Sequence, residues 1–161
     1  GLVGSEMCIR DRGRPRQEWI ITKEGNHYFP DTHADLTIQL IHSVKQIFGV
    51  EGLNQLITQR EAQILTRYLK ECQATTLEAR LEKLTKLRDQ EGYMAYLTKD
   101  GSDYLLIEEH CPICAAATMC QNFCRSELQL FQAVLGNEVD ITREEYLLAE
   151  GQRCSYRIRQ K

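Results

Sequence analysis

The chain has 161 residues, 42% of them hydrophobic and 27% charged, with a net charge of −3 at neutral pH. That length suits one ordinary domain or a small domain plus part of another, and the composition is that of a globular chain rather than a disordered or collagenous one. No apolar run approaches the ~20 residues of a membrane helix and no signal-peptide core opens the chain, so a cytoplasmic protein with reduced thiols is expected.

Residues 1–12, which do not begin with methionine, carry no sustained helical or strand pattern. They resemble translated cloning sequence, so this stretch is set apart as a non-native or disordered leader and Cys8 is left out of any site. From Gly13 to Pro30 the chain holds its only tryptophan, Trp19. Between Arg10 and Lys23 five basic residues, Arg10, Arg12, Arg14, Arg16 and Lys23, stand against Asp11 and Glu18. In an acidic chain that asymmetry suits a phosphate backbone, and a solvated basic tail is the other explanation.

Residues 31–91 have a helical pattern. Thr32-His33-Ala34-Asp35 has the form of a capping box ahead of an apolar stripe at Leu36, Leu40, Val44 and Ile47, with Gly49 ending that helix. A second helix is predicted from about Glu51 to Cys72. Thr75-Thr76-Leu77-Glu78 is a capping box for a third, which carries Leu77, Leu81, Leu84 and Leu87. Such stripes serve more often as core than as coiled coil, because sustained heptads are missing. A dimer interface on one of them is the other expectation, and Cys72 is read as packing.

After Gly92 the pattern changes to strands: Tyr93 to Thr98, a turn at Asp100-Gly101, and Asp103 to Glu108. Four of the seven cysteines then fall within residues 111–124. Cys111 lies in a strand-to-helix turn where Pro112 suits the helix start, and from Ala115 the positions Cys120, Cys124, Leu128, Phe131 and Leu135 predict one helix stopped by Gly136. Strands follow at about Val139 to Leu147 and Arg153 to Arg159. In the last of these, alternation puts Cys154, Tyr156 and Ile158 on the inner face. The result is an α+β fold: a small antiparallel sheet with a covering helix, spanning residues 92–161, behind long linking helices.

The spacing C-x12-C-x29-C of Cys111, Cys124 and Cys154 is neither a zinc-finger nor a zinc-ribbon nor a ferredoxin spacing. In a reducing compartment it favours a metal or redox site over packing, without naming the metal. Catalysis finds little support. His27, His33, His42 and His110 make no metal motif, no nucleophile elbow or phosphate loop is present, and only His110 beside Cys111 offers a thiol–imidazole pair.

Three stretches, His110-Cys111-Pro112-Ile113-Cys114 with its alanines, Cys124-Arg125-Ser126-Glu127-Leu128 with Phe131, and Gly151-Gln152-Arg153-Cys154-Ser155-Tyr156-Arg157-Ile158, resemble the sensor domain of the SufR family. These are iron–sulfur-sensing repressors of cluster-assembly (suf) genes, typically homodimers with an N-terminal winged helix. The resemblance runs from Gly13 to about Ile158, specific at the cysteines and loose in the long helices. It implies a [4Fe–4S] cluster on Cys111, Cys124 and Cys154. Cys114 matches a further cysteine of the cyanobacterial-type members, and the fourth ligand stays open between Cys114, Cys120 and a non-cysteine donor. By the same resemblance, residues 13–30 are a partial winged helix, with Arg14 and Arg16 at the wing tip on DNA. The family's recognition helix lies upstream of Gly13, so weak, non-specific DNA binding is expected of this chain. A zinc-stabilised or thiol-switching regulator is the alternative.

Overall fold

The computed structural model describes residues 2–6, 17–149 and 151–161. It is α+β and divides into two compact units, Gly1–Leu36 and Thr37–Lys161. In the first unit, strands β1 (Leu2–Glu6) and β2 (Gln17–Ile21) pair antiparallel, Leu2 opposite Ile21, and a 3-10 turn covers Gly25–Tyr28. The leader had offered no strand pattern. Pairing is explained by the partner: Trp19-Ile20-Ile21 is strand-forming, and a neighbour satisfies its backbone groups. Arg14 and Arg16 lie outside the described residues.

Helix α1 (His33–Glu71) starts with the Thr32 carbonyl accepting from the Leu36 amide at 3.0 Å. It is interrupted where expected: Gly49 has φ 72°, a left-handed value that favours glycine and breaks the ladder. The stripe read from its first half is corrected. Leu36, Leu40 and Ile47 are exposed, and the buried side chain there is Ile41. Val44 of that stripe is partly buried against the cluster of Ile41, Leu53 and Phe123, and further along Leu53, Ile57 and Tyr68 are buried.

Helix α2 (Leu77–Arg88) is capped one residue later than the capping box suggested. Thr76 is the N-cap, its hydroxyl accepting from the Ala79 amide at 3.3 Å. Leu81, Leu84 and Leu87 then point into the core, and a π-type turn at Asp89–Tyr93, with Gly92 at φ 88°, turns the chain into the sheet.

The sheet comprises β3 (Ala95–Asp100), β4 (Asp103–Glu108), β5 (Val139–Glu145) and β6 (Cys154–Gln160) in the order β3-β4-β6-β5, antiparallel throughout. Its outer face is polar, with Arg157 paired to Asp100, Asp103 and Glu144. On its inner face Leu106, Tyr156, Ile158, Val139 and Ile141 pack with Tyr68 of α1 and the leucines of α2. Phe131, Val134 and Leu135 of helix α4 (Asn122–Leu135) complete that core. Cys72 is buried in it, as expected of a packing cysteine.

The long cysteine helix is corrected as well. It is two helices, α3 (Cys114–Met119) and α4, broken at Cys120, whose backbone is extended at φ −150° and ψ 104°. The Cys120 amide closes α3 on the Ala116 carbonyl, and its own carbonyl accepts from Phe123 at the start of α4. Cys120 thereby leaves the stripe that Cys124 occupies and packs instead beside Ile41, Leu53 and Phe123.

Candidate functional site

The sheet register sets the site. Glu108, the last residue of β4, stands opposite Cys154, the first of β6, and the chain leaves β4 directly into the turn carrying Cys111. That turn is held by the His110 amide on the Tyr93 carbonyl at 3.1 Å and by the Cys114 amide on the Cys111 carbonyl at 3.1 Å. Cys124 lies in the first turn of α4. Cys124 and Cys154 are buried, Cys111 and Cys114 half-buried. His110 does not pair with Cys111. Its Nδ1 is 2.8 Å from the Gly92 carbonyl, which ties it to the backbone.

The thiols share one environment. Burial pushes Cys111 up to about 12, opposed by the Ile113 amide and reinforced by Glu127, Cys124 and Cys114. Burial raises Cys124 too, with the Tyr146 hydroxyl and Arg143 working against it and Glu127 and Cys114 with it. Cys154 is raised by burial, eased by the Leu147 amide and Arg143, and further raised by Glu108 and Glu127. Cys124 and Cys114 both act on Cys111, Cys114 acts on Cys124, and Arg143 acts on both Cys124 and Cys154. Such thiols hold their protons at neutral pH, which makes them poor nucleophiles, and a metal that binds them must displace protons.

Sequence reasoning missed the ionic core beside them. Arg88 is 97% buried as a side chain by its 3% exposure. It donates through Nε to Glu108 at 2.5 Å and through Nη2 to Glu108 at 3.1 Å and Glu127 at 2.7 Å. Its guanidinium lies 3.3 Å from the Tyr93 ring centroid. Tyr156 donates to Glu127 at 3.2 Å and accepts from Arg143 at 3.2 Å, while Arg143 also donates to the Cys124 carbonyl at 3.0 Å. From Arg88 a long contact of 3.5 Å reaches the Tyr68 hydroxyl, which donates to Glu91 at 2.5 Å. Burial alone would lower Arg88, but Glu108 and Glu127 hold it well above its usual range. A signal existed. Leu81, Leu84 and Arg88 share a helical stripe, Leu106 and Glu108 share a strand face, and so do Val139, Ile141 and Arg143: each is a charge where the period demands an apolar residue.

Two observations bear on an iron–sulfur cluster. Arg143 Nε is buried and has no partner, an orphan donor beside Cys124 suited to an anionic acceptor. The donor set is also apt, since thiolates drawn from a turn and two elements can each bind a separate corner of a cubane. Among the described residues no three His, Cys, Asp or Glu side chains gather as they would around one metal ion, for which sulfurs ~2.3 Å from a shared zinc would be needed.

A scan against family models finds no match for the chain, and a search of curated proteins finds none either. Fold and site together define an α+β domain with a buried ionic core one hydrogen bond from the Cys124 backbone. Among the described residues no helix is long and apolar enough to cross a membrane.

Proposed function

We propose that the chain is the sensor part of an iron–sulfur-sensing transcriptional repressor, with Cys111, Cys124 and Cys154 holding a [4Fe–4S] cluster and Cys114 as the fourth thiolate. The observation that supports the reading is placement: the β4–α3 turn, the first turn of α4 and the first residue of β6 carry Cys111, Cys124 and Cys154 as buried or half-buried thiols, and Arg143 donates to the Cys124 carbonyl. The resemblance in the cysteine motifs supplies the identity of the cofactor. When bound, the cluster supplies a labile, oxidant-sensitive group whose loss signals a need for cluster assembly.

The chain's own residues bury Cys124 and Cys154, and a hydrogen-bonded path runs from the Cys124 carbonyl through Arg143, Tyr156 and Glu127 to Arg88 and on to Tyr68 of α1. Coupling of that kind acts by favouring one conformation with differential binding free energy. In this reading the protein is a cytoplasmic homodimer, its exposed Leu40, Ile47 and Phe48 meeting a second copy, and the loaded form represses suf genes. Residues 13–30 serve as the remnant of the wing, with Arg14 and Arg16 on DNA phosphates. No enzymatic role is proposed.

The test is anaerobic reconstitution with iron and sulfide. About four irons and four sulfides per chain, with broad visible absorption, support the reading. A colourless protein that retains zinc supports the zinc-stabilised alternative instead.

A further inference from the structure

A cavity of about 280 Å³ opens between the second half of α1, the Asp89–Tyr93 turn and α4. Its walls are apolar: Ile64, Leu65 and Tyr68 come from α1, Tyr93 from the turn, and Phe123 and Leu130 from α4. Its charged members are Arg88, Glu91 and Glu127, together with Arg60 and Glu61, which are half-buried. None of the cysteines assigned to the cluster lines it.

The charges of this lining cancel. Arg88 is bracketed by Glu108 and Glu127, Glu91 pairs with Arg67, and Arg143 approaches Glu127 at 3.8 Å, so three carboxylates face three guanidiniums. Arg60 and Glu61 add one charge of each sign. An ion entering the cavity would find no net opposite charge to offset its lost hydration, so an uncharged molecule is favoured. One donor is nevertheless underused. Nε and Nη2 of Arg88 are held by Glu108 and Glu127, whereas Nη1 has only the Tyr68 hydroxyl at 3.5 Å and Glu91 at 3.9 Å. Tyr68 and Glu91 both line the cavity, which puts Nη1 on its side of a guanidinium whose side chain is only 3% exposed. A buried N–H of that kind costs free energy until an acceptor reaches it.

We propose that this cavity binds an uncharged, mainly apolar small molecule with one oxygen acceptor, which Arg88 Nη1 meets while Leu65, Phe123 and Leu130 cover the apolar body. Size narrows the class. A cavity of about 150 Å³ encloses one benzene ring, so this one suits about two fused rings. The apolar walls supply the binding free energy, and the single buried donor supplies orientation. The site is independent of the reading of the cysteines, and a chain that takes up no iron keeps it.

The experiment titrates the full chain with four probes built on one bicyclic frame and follows backbone amide shifts by NMR. 1-Tetralone, an uncharged ketone, should bind with a dissociation constant of about 0.1 mM, as suits so small a ligand. The shifts should fall within residues 58–68, 88–93 and 123–130. Tetralin, which lacks the oxygen, should bind about tenfold weaker, and so should the cation of 1-aminotetralin and the anion of tetralin-1-carboxylic acid. Leu65→Trp puts bulk into the cavity from α1 and should weaken 1-tetralone about tenfold or more. Should that variant unfold, Ala62→Trp takes its place under the same criterion, because Ala62 lines the cavity from an exposed position. Four results overturn the proposal: no binding of 1-tetralone up to about 1 mM, an ion or tetralin that binds as tightly as the ketone, an affinity that the tryptophan leaves unchanged, or shifts centred instead on the apolar groove of Leu40, Val44 and Leu56.

Discussion

Replacing Arg88 by methionine tests whether the ionic core holds the domain together. Arg88 and Glu108 are exposed by 3% and 2% as side chains and Glu127 by 11%, so the substitution leaves two carboxylates in the interior without their cation. Breaking a buried pair in this way costs about 3–5 kcal/mol, most of it the penalty of stranded charge rather than lost attraction. With a urea slope of about 2 kcal/mol per molar, the unfolding midpoint should drop by roughly 1.5–2.5 M. The pH dependence has a definite sign. Burial already pushes the Glu108 carboxyl above its usual range while Arg88 pulls it back, so removing Arg88 raises it further. A group whose folded-state pKa lies above its unfolded value contributes stability below the unfolded pKa and loses it as pH rises through the folded one. The deficit of Arg88→Met should accordingly shrink from about pH 8 towards pH 5 as the Glu108 carboxyl takes up a proton. Adding Glu108→Gln and Glu127→Gln to Arg88→Met should recover most of the loss at neutral pH, since no unpaired charge then remains. Urea titration of the metal-free protein, followed by circular dichroism, measures all of this. A drop under about 1 kcal/mol that is the same at both pH values would refute the reasoning.

Cys124→Ser should abolish iron uptake on reconstitution while Cys72→Ser retains it, because Cys72 sits in the core against Tyr68 and the α2 leucines; equal iron content in the two would sink the assignment. Cys114→Ala should assemble a cluster that bleaches sooner in air than that of Cys120→Ala, since Cys111 and Cys124 both sense Cys114 while Cys120 packs in the other cluster. Timed loss of visible absorption decides between them, and faster bleaching of Cys120→Ala reverses the ranking. Gly151→Ala should destabilise the domain by about 1–3 kcal/mol, the usual cost of overpacking. Its new methyl would stand 2.6 Å from the Tyr146 carbonyl oxygen, in the turn that presents Tyr146 to Cys124. An unshifted thermal midpoint would show that the turn relaxes freely.

Much of the domain was legible because local rules and tertiary packing agree in it. Strand β4 runs over the residues its apolar run suggested, Gly49 and Gly136 act where helices stop, and the alternation of β6 buries Cys154, Tyr156 and Ile158. Legibility failed where packing overrode periodicity. Cys120 fits a helical stripe, yet the chain opens there so that Phe123 and Ala116 can meet Ile41, Leu53 and Ile57. The stripe of Leu36, Leu40 and Ile47 fits a core helix, yet all three side chains are exposed.

By itself the sequence determined the α+β order of elements, the inward direction of Cys154 and the concentration of thiols between β4 and α4, because each follows from side-chain period, turn residues and chain connectivity. Only the tertiary structure decided which charges are buried. Arg88, Glu108, Glu127 and Arg143 come from a helix, a strand, a second helix and a second strand, and each looks like a misplaced surface residue until the sheet register and the packing of α2 and α4 bring them into contact. The physical reason is that an isolated charge gains nothing from its neighbours in sequence, and burying it is tolerable only where distant residues arrive together to neutralise it.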